Sequence, residues 1–304
     1  MKKILAWVLA LSLLLCGAAF AEEAEEVHVK VGVVGENNEQ WEQVIIPTLA
    51  EEGIIIELVK FSDYIIPNQA LAQGEIDMNA FQHYDFMNNW NEENSAAYGV
   101  TLVGLCDTLI APLCIYSDKI TSLDELKEGD QIAIMNDVVN EARALRMLAS
   151  TGLITLSEDS TELATVADIA ENPLGLEFVE MEAALTPTAM KDPAIAIAFL
   201  NGTHAKDAGL TNDQALLVEE FDFDDESMHG IVNNIAVRAD DIDNPVYQRI
   251  AEVYQSDEVR ALFDTVYAGV YLPAWEAADE ATDEATEAAD EATDEAETEE
   301  PAAE

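Results

Sequence analysis

Residues 27–34 begin in strict alternation, Val27-His28-Val29-Lys30-Val31, and close on Gly32-Val33-Val34. Alternation passing into an apolar run predicts a strand whose far end is buried on both faces. Residues 39–52 have helical spacing and stop at Gly53, a residue suited to the left-handed turn that ends a helix. A β-branched run over 54–61 predicts a second strand. A short helix over 67–73 closes at Gly74, and residues 76–81 predict a third strand. Residues 83–94 read as a helix with Phe86, Met87 and Trp90 on one face. This order predicts a parallel sheet with right-handed crossovers.

The apolar stretch 100–117, broken by Asp107 and Pro112, is too long for one ordinary strand. It predicts a strand that leaves a first lobe and enters a second. Beyond it come a short helix capped by Ser122, a strand over 131–135 and a strong helix over 138–153. Further strands are expected over 176–181, 195–200 and 215–221, with a return strand over 231–237. Residues 244–267 read mostly as helix packing back on the first lobe. The result is two α/β lobes joined by crossings near Ile110 and near Val232. A cleft between lobes is the ordinary place for a small ligand, at the carboxyl ends of strands.

The two ends differ from this body. Lys2 and Lys3 precede an apolar run too short for a typical membrane span, and Ala19-Phe20-Ala21 offers a signal-peptidase cut before Glu22. Leu13-Leu14-Leu15-Cys16 offers a rival reading, a lipoprotein box with Cys16 lipidated, although Leu15 is large for that position. Both readings place the mature protein outside the cytoplasmic membrane, secreted or anchored through Cys16. Residues 276–304 hold 14 acids, no base and no large apolar residue, which predicts a solvated tail without a core. The expected division is therefore a leader over 1–21, a first lobe over 22–110 with 233–275, a second over 111–232, and the tail.

The chain has 304 residues and a net charge of -49. Between leader and tail, 11 bases stand against 48 acids. So acidic a surface excludes nucleic acid, whose phosphates need a cationic partner. With three Cys and four scattered His, there is no zinc spacing and no metal site is expected. No cofactor motif appears either: Gly32 and Gly35 form no dinucleotide fingerprint. Gly-x-Ser-x-Gly, a P-loop and a metal helix are all missing, so no catalytic set emerges. Cys106 and Cys114 read as buried apolar residues or as a disulfide in an oxidising compartment.

Candidate chemistry gathers just after the strands. Tyr64, Phe81, His83 and Phe86 form an aromatic group able to hold an apolar or thioether side chain, or else serve as core. Arg143, one of five arginines, opens a helix where anions are favoured and fits a carboxylate with two parallel donors. The alternative is a surface ion pair with one of many acids. Asn140, Asn201 and Asn233 suit an amino-acid head group, or a helix cap and turns.

The same residues carry a family resemblance. Phe61-Ser62-Asp63-Tyr64-Ile65-Ile66-Pro67-Asn68-Gln69-Ala70-Leu71 and Gly74-Glu75-Ile76-Asp77-Met78-Asn79-Ala80-Phe81-Gln82-His83 resemble the NlpA/MetQ methionine-binding lipoproteins. Tyr116-Ser117, Ser122-Leu123-Asp124-Glu125-Leu126, Asn136-Asp137, Asn140 with Arg143-Ala144-Leu145, Glu171-Asn172-Pro173 and Tyr254-Gln255-Ser256-Asp257 continue the likeness over residues 27–268. The resemblance implies an α/β, two-lobed periplasmic-binding-protein-like fold of the second type, with the ligand cleft between lobes and two interlobe crossings. It implies a monomeric receptor, not an enzyme, that delivers methionine to the permease and ATPase of an ABC importer. Tyr64, Phe81, His83 and Phe86 would enclose the side chain and Arg143 the carboxylate, with Asn140, Asn201 and Asn233 around the head group. Departures fall at Leu109-Ile110, Met135, Glu141-Ala142 and Gly202-Thr203-His204, and Glu141 would bring a negative charge to the carboxylate site. Competing functions are a receptor for another amino acid or a small peptide, an extracellular enzyme on the same fold, and a surface protein acting through its tail.

Overall fold

A computed structural model describes residues 26–275. The leader with Cys16, the cut before Glu22 and the acidic run 276–304 lie outside the described residues. The first sheet has five strands in the spatial order Ile54–Phe61, Val27–Val34, Met78–Asn79, Asn234–Arg238, Leu102–Asp107. Val27–Val34 pairs in parallel with Ile54–Phe61 along its whole length, Val27 opposite Ile54 and Val34 opposite Phe61. Its inner residues Val31 and Val33 are fully buried, as the closing apolar run predicts. The sheet is not wholly parallel, because Asn234–Arg238 runs against both neighbours. That strand arrives from the second lobe, so its direction is set by the return crossing.

The second sheet runs Glu177–Met181, Gln131–Met135, Ile195–Leu200, Cys114–Tyr116, Leu217–Val218. All six residues of Ile195–Leu200 are buried, which accounts for the unbroken apolar sequence of that strand. The long stretch 100–117 divides as expected. It supplies Leu102–Asp107 to the first sheet and Cys114–Tyr116 to the second, with the two-residue strand Leu109–Ile110 between them. The return passes from Leu217–Val218 to Asn234–Arg238. The crossings lie side by side: Thr108 N donates to the Asn233 carbonyl and Asn233 N to the Leu109 carbonyl, each at 2.8 Å. The fold is therefore two-lobed with two interlobe crossings. Cys106 and Cys114 belong to different sheets and are free thiols.

Several elements differ in extent from the sequence reading. The helix over 39–52 begins with the wider π turn Gln40–Ile45 and becomes α over Ile46–Glu51. Pro47 sits at this change; it has no N–H to donate into a regular ladder. The third strand shrinks to Met78–Asn79, because amide side chains take over beside it. Asn68 Nδ2 donates to Gln82 Oε1 at 2.7 Å, Gln82 Nε2 returns to Asn68 Oδ1 at 2.7 Å, and Asn79 Nδ2 joins at 2.9 Å. This buried, satisfied network fixes the turn that carries Phe81 and His83. The C-terminal helical region is two pieces, Pro245–Tyr254 and Asp257–Arg260, and it packs on the first lobe as expected. Trp41 and Tyr254 meet there edge to face at 5.7 Å, both almost without solvent contact.

A seam holds the lobes together away from the crossings. The Asp207 carboxylate, at the end of helix Gly202–Asp207, accepts from Glu36 N at 3.2 Å and from the Asn37 side chain. The turn it caps contains Gly35 at φ 83°. A Cβ on Gly35 would lie 2.6 Å from Asp207 Oδ2, so only glycine lets this seam close. Among the described residues, no helix is long and apolar enough to cross a membrane.

Candidate functional site

Between the lobes lies a cavity with about 350 Å³ of space free of protein atoms, part of it open to solvent. The centre of a water molecule ranges over about 30 Å³ of it, so the walls stand close around the space. Its wall contains all eight residues singled out from the sequence: Tyr64, Phe81, His83, Phe86, Asn140, Arg143, Asn201 and Asn233. Gln82, Ala111, Gly202 and Thr203 also line it and were not among the candidates. A wider groove, with about 1450 Å³ of space free of protein atoms, runs past Phe221 and Phe223, but its acids Asp224, Asp225 and Glu226 are exposed rather than buried and convergent.

The aromatic side is a cage of mutually packed rings. Tyr64 stacks on Phe81 at 5.8 Å, and Phe86 stands edge-on to Tyr64 at 6.2 Å and to Phe81 at 6.0 Å. Such edge and offset arrangements suit the ring quadrupoles and leave an apolar, polarisable surface facing the cavity. Tyr64 is backed by His204 at 4.9 Å, so the altered stretch Gly202-Thr203-His204 lies against the cage. Phe86 turns away from its helix neighbours Met87 and Trp90, which are buried in a separate cluster with Leu71 and Ile76.

His83 is the N-cap of helix Tyr84–Tyr98. Its Nδ1 accepts from Phe86 N at 3.2 Å. The proton therefore sits on Nε2, which donates to Asn140 Oδ1 at 3.4 Å. Burial, reinforced by the positive charge of Arg143, pushes His83 down to about 3. The ring is neutral at physiological pH, with one fixed tautomer.

Asn140 does not cap its helix. Asp137 is the N-cap of Val138–Ser150, and its Oδ1 accepts from both Asn140 N and Asn140 Nδ2 at 2.9 Å. That leaves Asn140 Oδ1 to accept from His83 and from Asn201 Nδ2, the latter at 2.9 Å. Asn201 stands at the N-cap position of Gly202–Asp207 yet makes no capping bond. Its Oδ1 is buried without a partner among the described residues. A buried acceptor left open costs about 1–3 kcal/mol, which a ligand donor would recover. The Asn233 backbone pairs with His83 in an isolated bridge, which sets Asn233 beside the ring.

Arg143 is buried at the base of the cavity, not on the surface. Its partner is an acid that sequence reasoning passed over. Nε donates to Glu219 Oε1 at 2.6 Å, and Nη2 donates to Glu219 Oε2 and to the Ala111 carbonyl, the latter at 3.2 Å. The two parallel donors expected to meet a ligand are thus already engaged, and Nη1 remains. Glu219 Oε2 also accepts from Leu113 N at 3.0 Å. Burial pushes the Glu219 carboxyl up, but Arg143 outweighs it and holds the group below its usual range. Glu141, expected to bring charge to this place, is buried elsewhere and accepts from Val166 N at 2.8 Å. A signal for Glu219 existed, since it directly follows the strand Leu217–Val218, where strand-end chemistry belongs.

Gly202 completes the wall. A Cβ there would lie 2.9 Å from Ala111 Cβ and 3.0 Å from the Tyr271 ring, so its absence lets the second lobe approach the first crossing. Among the described residues, no group of three or more His, Cys, Asp or Glu could hold a metal ion.

A two-lobed α/β fold with a cavity between the lobes, lined by packed aromatic rings and by amide and guanidinium groups, defines a solute-binding protein type. The model of the NlpA lipoprotein family matches residues 29–275, and the chain belongs to that family. It is 38% identical over 267 residues to the D-methionine-binding lipoprotein MetQ of Escherichia coli K12, spanning 88% of this chain and 94% of that one. The substrate-binding protein of a methionine transporter from Streptococcus pneumoniae superposes with a TM-score of 0.75 at 34% identity, covering 82% of this chain and 96% of its own. A nutrient-binding protein from Burkholderia cenocepacia, bound to methionine, superposes with a TM-score of 0.74 at 34% identity, covering 81% and 100%.

Proposed function

We propose that this protein captures methionine outside the cytoplasmic membrane and presents it to the permease and ATPase of an ABC importer. The carrying observation is the two-sided cavity. A cage of Tyr64, Phe81 and Phe86 faces a cluster in which Asn201 Oδ1 and Arg143 Nη1 lack partners among the described residues. A thioether sulfur is attracted to ring edges, and an ammonium donates where a carbonyl oxygen waits. In this reading His83 orients Asn140, Asn140 orients Asn201, and Asn201 accepts from the ligand ammonium. Arg143 Nη1 meets the carboxylate, and Asn233 completes the head-group shell. No bond is made or broken, so the protein acts as a receptor and not as an enzyme.

The two lobes, residues 22–110 with 233–275 and residues 111–232, would close around the ligand as rigid bodies about the paired crossings. Asp207 meeting the Gly35 turn would mark the closed state. Relatives named as lipoproteins support an anchored receptor, with Cys16 as the lipidation point, while a cut before Glu22 would release it. We take the receptor to work as a monomer. Isothermal titration against L- and D-methionine and a panel of other amino acids tests the proposal. Saturable heat with methionine is expected. Heat with a different amino acid and none with methionine would overturn the ligand while leaving the receptor class intact.

A further inference from the structure

We propose that Glu219 is the positioning residue that sets the charge specificity of the cavity, fixing Arg143 side-on and cancelling its charge so that the site selects a net-neutral ligand. The inference rests on the methionine reading above for its ligand, and on the structure for its electrostatics. Among the described residues, Arg143 is the only ionic side chain in the cavity wall. With His83 neutral, an unpaired guanidinium would leave that wall carrying one positive charge, and a net-anionic ligand would then suit it best. Glu219 stands just behind the wall with its side chain only 14% exposed and forms a bidentate pair through Nε and Nη2. A planar guanidinium held on that edge can turn neither toward the ligand nor away from it.

The pair is also anchored on both sides. Arg143 Nη2 donates to the Ala111 carbonyl, and Glu219 Oε2 accepts from Leu113 N, so both ends grip the first crossing. Glu219 itself lies on the chain leading into the second crossing. The Arg143–Glu219 pair is thereby neutral as a unit, with Nη1 left to face the ligand, and the next acids, Asp137 bonded to Asn140 and Asp85 toward Arg143, add no positive charge to the wall. A zwitterion matches this balance, because its ammonium meets neutral amides and its carboxylate meets Nη1. An analogue that keeps the carboxylate but replaces the ammonium by hydroxyl is net-anionic and nearly the same shape. It should bind poorly to the wild type and better when Glu219 loses its charge.

The test uses the full mature protein with Glu219→Gln, Glu219→Asp and the double variant Arg143→Gln/Glu219→Gln. Titrations compare L-methionine with 2-hydroxy-4-methylthiobutanoate, its hydroxy analogue. The preference for methionine over the hydroxy analogue should fall by about tenfold or more in Glu219→Gln and stay near wild type in Glu219→Asp. Melting temperatures without ligand form a second arm. Glu219→Gln should be less stable than wild type, and the double variant should recover part of the loss, because no buried charge is then left uncompensated. An unchanged preference in Glu219→Gln, with both ligands weakened equally, would reduce Glu219 to a structural role and overturn the inference. A double variant no more stable than Glu219→Gln would overturn charge cancellation irrespective of any ligand. Wild type that binds neither compound refutes the methionine reading instead, and the stability arm then decides the charge pairing alone.

Discussion

Replacing Arg143 by alanine should have two separable effects, and their sizes follow from how the guanidinium is shared. Glu219 holds Nε and Nη2, so the variant strands a buried carboxylate that still accepts from Leu113 N. Breaking one side of a buried pair costs about 3–5 kcal/mol. The melting temperature should therefore fall without ligand. Affinity should fall as well, because the ligand carboxylate loses Nη1 and faces an uncancelled Glu219 charge, so the loss of that single bond sets a lower bound. A hydrogen bond to a charged group contributes about 1.5–3 kcal/mol, which corresponds to roughly 10- to 150-fold in affinity. Arg146, one turn on, is exposed and donates to the Glu162 carbonyl. Arg146→Ala should change either quantity by less than about 0.5 kcal/mol. Titration calorimetry with methionine, paired with urea denaturation of the unliganded proteins, measures both. Equal methionine affinities for the two variants would refute the role of Nη1, and an unchanged unfolding free energy in Arg143→Ala would refute the buried pair.

Three further outcomes are expected. His83 is held neutral, so the unfolded chain binds more protons than the folded one between about pH 6.5 and 3, and stability must fall as pH drops through that window. Between pH 7.5 and 4.5 the wild type should lose on the order of 2 kcal/mol more than His83→Gln in chemical denaturation, and parallel losses would contradict the assignment. Gly35→Ala should weaken methionine binding about tenfold and shift the ligand-bound protein toward a larger radius of gyration by small-angle scattering, since its Cβ would meet Asp207 and Thr203 across the closed seam in addition to the strain that φ 83° imposes in any state; unchanged affinity would remove the seam from the closing mechanism. Trp41→Ala, in the first-lobe core, should cost about 3–5 kcal/mol of stability, and a loss below about 1 kcal/mol would show that the site collapses around the cavity.

The parts of the fold legible in the sequence were those whose burial is written into consecutive residues. Gln131–Met135 and Ile195–Leu200 are apolar because both faces are covered, Val27–Val34 alternates until its far end is buried, and Ile54–Phe61 is a β-branched edge strand interrupted by exposed Glu57 and Lys60; the limits of all four could be read directly. Met78–Asn79 could not be, because its flanks are held by Asn68, Asn79 and Gln82, whose amides carry no periodic signal. Residues 215–221 read as a strand but keep only Leu217–Val218 in the ladder. The reversed strand in the first sheet follows from the return crossing, a property of topology and not of local pattern. In the cavity, the large aromatic and amide residues stood out by type and by their place after strands. Glu219 did not, since one carboxylate among 62 acids is identified only by what it faces. Gly202 stood out only as part of a departure from the family pattern, and its packing role follows from Ala111 and Tyr271 lying against it.

The central claim is that the cavity holds methionine with its sulfur in the aromatic cage and its carboxylate toward Arg143. Crystals of the protein, containing ordinary methionine and soaked with L-selenomethionine, test this most directly through anomalous scattering at the selenium edge. One strong selenium peak is expected inside the cage of Tyr64, Phe81 and Phe86, with the ligand carboxylate at Arg143 Nη1 and its ammonium at Asn201 Oδ1. A selenium peak at any other place on the molecule, or an empty cage under conditions where calorimetry records binding, would contradict the account.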